Sequence, residues 1–207
     1  KDAIGRADSI TRGLLDFAAS RQLSVKPQDL NLLIQATLRM VRHELSKKNI
    51  QLVKELLEPL PKVAVDKTQI QQVFVNIFVN AIHAMAEGGT LRVKTYAKQM
   101  TETTHYEGSR KVHHFWVGDT AVVAEVEDTG SGIPQEYLAK IFDPFFTTKP
   151  TGVGTGLGLP VSKKIIELHG GTLEIKNKPQ GNGVTVTILL KEHRTSDVKE
   201  THTPGGR

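Results

Sequence analysis

Hydrophobic positions along the chain recur at two periods, and the changes between them divide it into elements. Ala3, Ala7, Ile10, Leu14 and Phe17 fall alternately four and three residues apart, which predicts a helix with a coiled-coil-like seam from Lys1 to about Arg21. One helix cannot bury such a stripe. It needs either a partner helix or a surface of its own domain, and the pattern alone fits both. A boundary follows at residues 23–29, where Pro27 turns the preceding residue away from helix. Asp29 then stands as the N-cap of a second helix with Leu30, Ile34, Leu38, Val41 and Leu45 on one face.

Ile50–Leu57 reads as a strand, ended by Pro59 and Pro61. Asp66, with Gln69 three residues on, resembles a capping box at the start of a third helix. That helix turns Ile70, Val73, Phe74, Ile77, Ala81 and Met85 inward and stops before Gly88-Gly89. Beyond it the period falls to two. Leu91, Val93 and Thr95 alternate with polar residues, and Ala121–Glu127, Thr172–Lys176 and Val184–Leu190 are further strands, with a helix from about Leu157 to His169 between them. Lys98–Asp119 is polar and without clear period, as for a long hairpin loop or insertion, and residues 192–207 read as a disordered tail. Helices and strands mix without strict βαβ alternation. The expected class is α+β, a two-layer sandwich with helices on one face of a sheet.

Composition narrows the function. The chain has 207 residues, Lys+Arg 27 against Asp+Glu 22, and 5% aromatics. The basic residues are scattered, so no basic-aromatic surface for nucleic acid stands out. With no cysteine there is no disulfide framework and no thiolate zinc site. No apolar run nears the roughly 20 residues of a membrane span, which predicts a soluble, cytoplasmic fragment whose parent protein could still be membrane-anchored. His113-His114 is an isolated pair without zinc-ligand spacing.

The candidate chemistry lies in four segments. Walker-type and Rossmann glycine patterns are absent. Instead, Asp128-Thr-Gly130-Ser-Gly132 follows a hydrophobic strand: a carboxylate beside backbone freed by glycine can accept a hydrogen bond from an exocyclic amine such as that of adenine, although alone it could be a simple turn. Gly152-Val-Gly154-Thr-Gly156-Leu-Gly158-Leu sets alternating glycines just before a helix, where exposed N–H groups suit a phosphate; a flexible surface loop would explain the glycines but not the helix. Phe142-Asp-Pro-Phe-Phe-Thr147-Thr148-Lys149 offers aromatic anchors, two hydroxyls and a cation, against plain core packing for some of its rings. Asn76 and Asn80 share one face of the third helix, and an amide oxygen there can act as a hard ligand for Mg²⁺.

In chain order, an asparagine helix to Met85, the Asp128–Gly132 turn, Phe142–Lys149 and then Gly152–Leu159, the four segments resemble the ATP-binding domain shared by gyrase, Hsp90, the histidine kinases and MutL, over about Leu30 to Leu190. The glycine and phenylalanine segments are most similar to those of sensor histidine kinases of the nitrogen-regulation type, and Leu14-Leu15-Asp16-Phe17-Ala18 resembles the end of the second helix of their dimerisation hairpin. The resemblance implies a Bergerat-type sandwich over residues 30–191, preceded by a partial hairpin helix over residues 1–22. It implies a mobile lid over roughly Asp143–Thr155, adenine recognition by Asp128, magnesium on Asn80 with Asn76 nearby, and phosphate contacts from Lys149 and the lid glycines. His83 stands where many relatives carry lysine. The implied nucleotide set further includes Gly130, Gly132, Ile133, Phe142, Thr147, Thr148, Gly152, Gly154, Thr155, Gly156, Leu157, Gly158, Leu159 and Thr185.

ATP-hydrolysing members of the superfamily place a glutamate at the position of Asn76, and an amide cannot replace it as a general base. The expectation is therefore phosphoryl transfer from Mg-ATP to a histidine on a dimerisation helix of the same or a partner subunit, for relay to a response regulator, in a full-length homodimer. Asn76 and Lys149 would be the catalytic pair. Arg42-His43-Glu44-Leu45 echoes a phosphoacceptor box, but it lies beyond Pro27 on the helix that opens the ATP domain, so the acceptor is expected upstream of this fragment. A superfamily ATPase and a non-catalytic ATP-binding regulatory module are the alternatives.

Overall fold

The computed structural model describes residues 23–102, 104–105, 113–149, 154–179 and 182–194. The N-terminal seam, Gly152 and residues 195–207 lie outside the described residues.

Strand β1 (Lys26–Gln28) pairs antiparallel with β3 (Val63–Val65), so a strand runs inside the stretch expected to be only a boundary. Helix α1 (Leu30–Lys47) begins where expected: the Asp29 carboxylate accepts from the N–H groups of Asn31 at 2.9 Å and Leu32 at 3.2 Å. Helix α2 (Lys67–Ala84) is capped by Asp66, which accepts from Thr68 N at 2.9 Å and Gln69 N at 3.2 Å.

The second half of the expected capping box is not made by Gln69. The Asp66 N–H donates instead to His169 Nε2 at 2.9 Å, more than a hundred residues away. His169 Nδ1 lies 2.8 Å from the Ile165 carbonyl, which can only accept, so Nδ1 carries the proton and Nε2 is the acceptor. One imidazole thus ties the start of α2 to the end of the helix it caps. His169→Ala leaves the Asp66 N–H without this partner and is expected to cost about 1–3 kcal/mol in urea unfolding. A loss below a few tenths would show that water replaces the ring.

The main sheet has the order β2-β4-β7-β9-β8, with β2 (Ile50–Leu56), β4 (Gly89–Gln99), β7 (Thr120–Glu127), β8 (Thr172–Asn177) and β9 (Val184–Lys191). The β2–β4 pairing is parallel and the others antiparallel. Alternation sorts its residues. Leu91, Val93, Val122, Ala124, Val126, Val186, Ile188 and Leu190 join the core formed with α1, α2 and α4 (Gly158–Leu168); the single turn of α3 (Gln135–Leu138) precedes α4 in the chain. At the edge of this core, buried Asn31 donates to Leu57 O and accepts from Thr95 Oγ1, both at 2.8 Å, which fixes the start of α1 against β2 and β4.

The opposite sheet face is covered by part of the supposed polar insertion. Strand β5 (Thr104–His105) pairs with β6 (His113–Phe115), and wholly buried Phe115 packs with Met100, Ala121, Val123 and Leu189. Isolated aromatics in a polar stretch carry no period, so the sequence pattern passes over Phe115. Residues at the start of the expected tail are held in place: Glu192 bridges to Val63, and His193 N–H donates to Lys62 O at 2.7 Å.

Candidate nucleotide-binding site

A cleft of about 500 Å³ opens between α2, the start of α4, and the ends of β7 and β9. Its base is Asp128, 5% exposed, directly after β7. Two contacts fix the carboxylate from below: Oδ1 accepts from Gly130 N at 2.8 Å and from Val184 N at 3.3 Å. Burial raises its pKa above the ordinary 3.8, against the opposing effects of those two N–H groups and of Lys178.

The turn after Asp128 is held on both sides. At Gly130 a Cβ would lie 2.7 Å from the Ala84 side chain, and Ser131 N–H donates to Ala84 O at 3.3 Å. Gly132 has φ +76°, which carries the chain to Ile133, whose N–H and C=O are both bonded by the Asn177 amide at 2.8 and 2.6 Å. The turn is therefore held rigidly from both sides.

Asn76, Asn80 and His83 project into the cleft from α2. Asn76 Nδ2 donates to Gly158 O and to Ser162 Oγ, each at 3.2 Å, so this amide anchors the first turn of α4. Gly158 O accepts only, which fixes the amide orientation. Asn80 Oδ1 accepts from Lys149 Nζ at 2.9 Å, and the same ammonium lies 2.8 Å from His83 Nδ1, making that nitrogen the acceptor. Burial, then Lys149 and Lys48, hold the His83 pKa below its ordinary value, against Glu44. Burial, then Lys48, lowers that of Lys149.

The loop ends meet closely. A Cβ on Gly154 would lie 2.6 Å from Thr147 Oγ1 and 3.2 Å from Lys149 Cδ. Phe145 and Gly156 both have positive φ, +69° and +66°, and Phe145 N–H donates to Gly156 O at 3.0 Å. The three phenylalanines divide: Phe146 lines the cleft against Tyr137, Phe145 is exposed, and Phe142 packs on the core under Lys163 Nζ at 4.6 Å.

Of the residues picked from sequence, the cleft gathers Asn76, Asn80, His83, Asp128, Gly132, Ile133, Thr147, Thr148, Lys149, Gly154, Thr155, Gly156, Gly158 and Leu159. Four do not line it. Thr185 alternates with Val184 and Val186, which face the cleft, and so lies on the other sheet face opposite Glu127 and Lys176. Phe142 and Leu157 belong to the core, and Gly130 packs on Ala84 while holding Asp128. Sequence reasoning missed Ser131, Tyr137, Ile141, Phe146, Pro160, Ile175 and Val186. The alternation of β8 and β9 carried a signal for Ile175 and Val186; nothing marked Tyr137.

The donor set fits a magnesium–phosphate group. Among the described residues no cluster of three or more His, Cys, Asp or Glu could hold a metal alone. An oxygen that already faces an ammonium, Asn80 Oδ1, is the kind of ligand that Mg²⁺ takes when phosphate and water complete its shell.

Comparison with known proteins agrees with this geometry. Residues 65–194 match the family described as "Histidine kinase-, DNA gyrase B-, and HSP90-like ATPase". The chain is 40% identical over 204 residues to the sensor kinase CckA of Brucella abortus, covering 95% of the chain and 20% of that protein. It is 34% identical over 185 residues to the sensor histidine kinase ZraS of Salmonella typhimurium, covering 89% of the chain and 35% of the relative. The chain thus spans about a fifth to a third of the curated relatives it matches. Among solved structures, the catalytic domain of histidine kinase ThkA aligns with a TM-score of 0.65 and 32% identity, covering 82% of this chain and 96% of that one. The chain belongs to the histidine kinase-, DNA gyrase B- and HSP90-like ATPase family, an ATP-binding family, and the relatives named here are sensor histidine kinases.

Proposed function

We propose that the chain holds Mg-ATP so that its γ-phosphate passes to a histidine imidazole on a dimerisation hairpin, for relay to the receiver domain of a response regulator. The observation that carries this reading is Asn76. Its amide is occupied as a donor to Gly158 O and Ser162 Oγ, and an amide has no basic site near neutral pH with which to activate water. Relatives named as sensor kinases support it, as does the alignment with ThkA in a structure titled as a complex with the response regulator protein TrrA, at TM-score 0.68 and 29% identity.

Each residue then has a limited task. Asp128 accepts from the adenine amine on a carboxylate that is already immobilised. Asn80 would hold a magnesium ion, which would supply charge neutralisation to the bound phosphates. Lys149 and His83, with the N–H groups of Gly158 and Leu159 at the start of α4, meet the phosphate oxygens. The nucleophile is a nitrogen lone pair on another segment. It forms the N–P bond as the γ-phosphate leaves ADP, and the domain contributes position and charge rather than proton transfer. Homodimerisation through the hairpin and a cytoplasmic setting complete the reading.

The test mixes the chain with γ-labelled ATP, magnesium and a separate hairpin bearing its histidine. Acid-labile, base-stable label on the hairpin is the expected outcome. Free phosphate released at a comparable rate, with no labelled hairpin, would replace the kinase reading with that of an ATPase.

A further inference from the structure

The phosphate end of the cleft carries a charge that no cleft-lining residue supplies. Lys48 caps α1, its own N–H bonding back to Glu44 O and Ser46 O, yet its side chain crosses to α2 and donates to Ile82 O at 2.8 Å. Ile82 is among the last four residues of α2, whose carbonyls have no acceptance from within the helix and form its negative end. Asn80 and His83, the α2 residues that meet Lys149, lie on those same last turns. Ala81 O and Ala84 O at this end are bonded by neutral backbone N–H groups, those of Met85 and Ser131, whereas Lys48 brings a full positive charge to the terminus.

We infer that Lys48 is a positioning residue for the phosphates: its ammonium, held on Ile82 O beside His83, reverses the sign of the α2 terminus and favours triphosphate over shorter nucleotides. A carbonyl bears no formal charge, so this bond leaves the full positive charge of Lys48 in place. Ile82 adjoins His83, whose Nδ1 lies 2.8 Å from Lys149 Nζ, so the charge of Lys48 stands beside the cationic end of the cleft. The charged groups facing this end are Lys48 and Glu44 from α1, His83 from α2 and Lys149 from the loop; Glu44 alone opposes the phosphate. No glycine or asparagine motif includes Lys48. Its place follows from a contact between two residues 34 apart in the chain.

The inference rests on the ATP reading of the cleft, and the nucleotide series separates the two. Affinities for ATP, ADP and adenosine, with magnesium, are measured on the full chain and on Lys48→Met, Lys48→Arg and Glu44→Gln. The methionine variant is expected to weaken ATP by roughly 3- to 10-fold and ADP by less, with adenosine unchanged and the difference shrinking in salt. Arginine restores the ATP preference. Glu44→Gln shifts the other way, tightening ATP by about twofold. A Lys48→Met protein that loses ATP and adenosine affinity in equal proportion, or that melts earlier with its ATP-to-adenosine ratio intact, makes Lys48 a structural cap and overturns the inference. A wild-type chain that binds adenosine as tightly as ATP also overturns it while leaving base recognition standing. A chain that binds none of the three removes the ATP reading itself.

Discussion

Asp128→Asn is expected to weaken ATP binding by roughly 10- to 150-fold, the range for a buried hydrogen bond to a charged group, while the empty fold becomes no less stable. Asparagine can keep Oδ1 where Gly130 N and Val184 N donate to it, so the turn survives. What changes is the second position of the head group. It becomes an amide that donates, facing an adenine amine that also donates, and a pair of donors repels.

The stability half follows from the direction of the Asp128 pKa. Burial raises it above 3.8, so the unfolded chain gives up the proton at lower pH than the native one. Ionised Asp128 therefore costs the native state stability above its folded pKa, and this deficit vanishes as pH falls below 3.8. Removing the charge removes the deficit at neutral pH. Urea unfolding at pH 7, alongside a nucleotide titration, reads both halves together. An Asn variant with unchanged affinity would remove the adenine assignment; one that binds normally and unfolds more easily would make Asp128 a structural residue.

The split between what was readable and what was not follows from range. Caps, periods and motif order are local, so Asp29, Asp66, the faces of α1 and α2, and the cluster of Asn80, Asp128 and Gly156 around one cleft were all within reach of the sequence. Strand parity was readable too, and it argues against Thr185: with Val184, Val186 and Ile188 apolar, the residue between faces away. Membership of a motif says that residues are adjacent, but not which way each side chain points, and that is why Phe142 and Leu157 sit in the core beside true cleft residues. Contacts closed over long separations left no local trace. His169 on Asp66, Lys48 on Ile82 and Phe115 beneath the sheet belong to this class, because each joins segments whose distance in the chain no period encodes.

Gly183→Ala is expected to be the most damaging single change outside the motifs, costing on the order of 3–5 kcal/mol of stability together with most of the ATP affinity. Gly183 has φ +114°, a conformation costly for alanine. The added methyl would also run into the Asp128 carbonyl oxygen and lie 2.8 Å from the carbonyl carbon and 3.1 Å from Thr129 Cα. All three are backbone atoms in a buried turn, so no side-chain rotation relieves them. To make room, β9 must draw away from β7 at the one point where Asp128 N–H donates to Val184 O at 3.0 Å and Val184 N–H returns to Asp128 Oδ1. The carboxylate then loses one of the two N–H groups that hold it, and binding falls with stability. Gly118 provides the control. Its φ is +87°, but a Cβ there meets nothing within 4 Å, so Gly118→Ala carries the backbone term alone, about 1–2 kcal/mol. Equal losses in the two variants would mean that backbone conformation alone matters and that the β7–β9 junction has slack. A much larger loss at Gly183, with ATP binding lost only there, places the rigidity of the proposed adenine site in the contact between two strand ends.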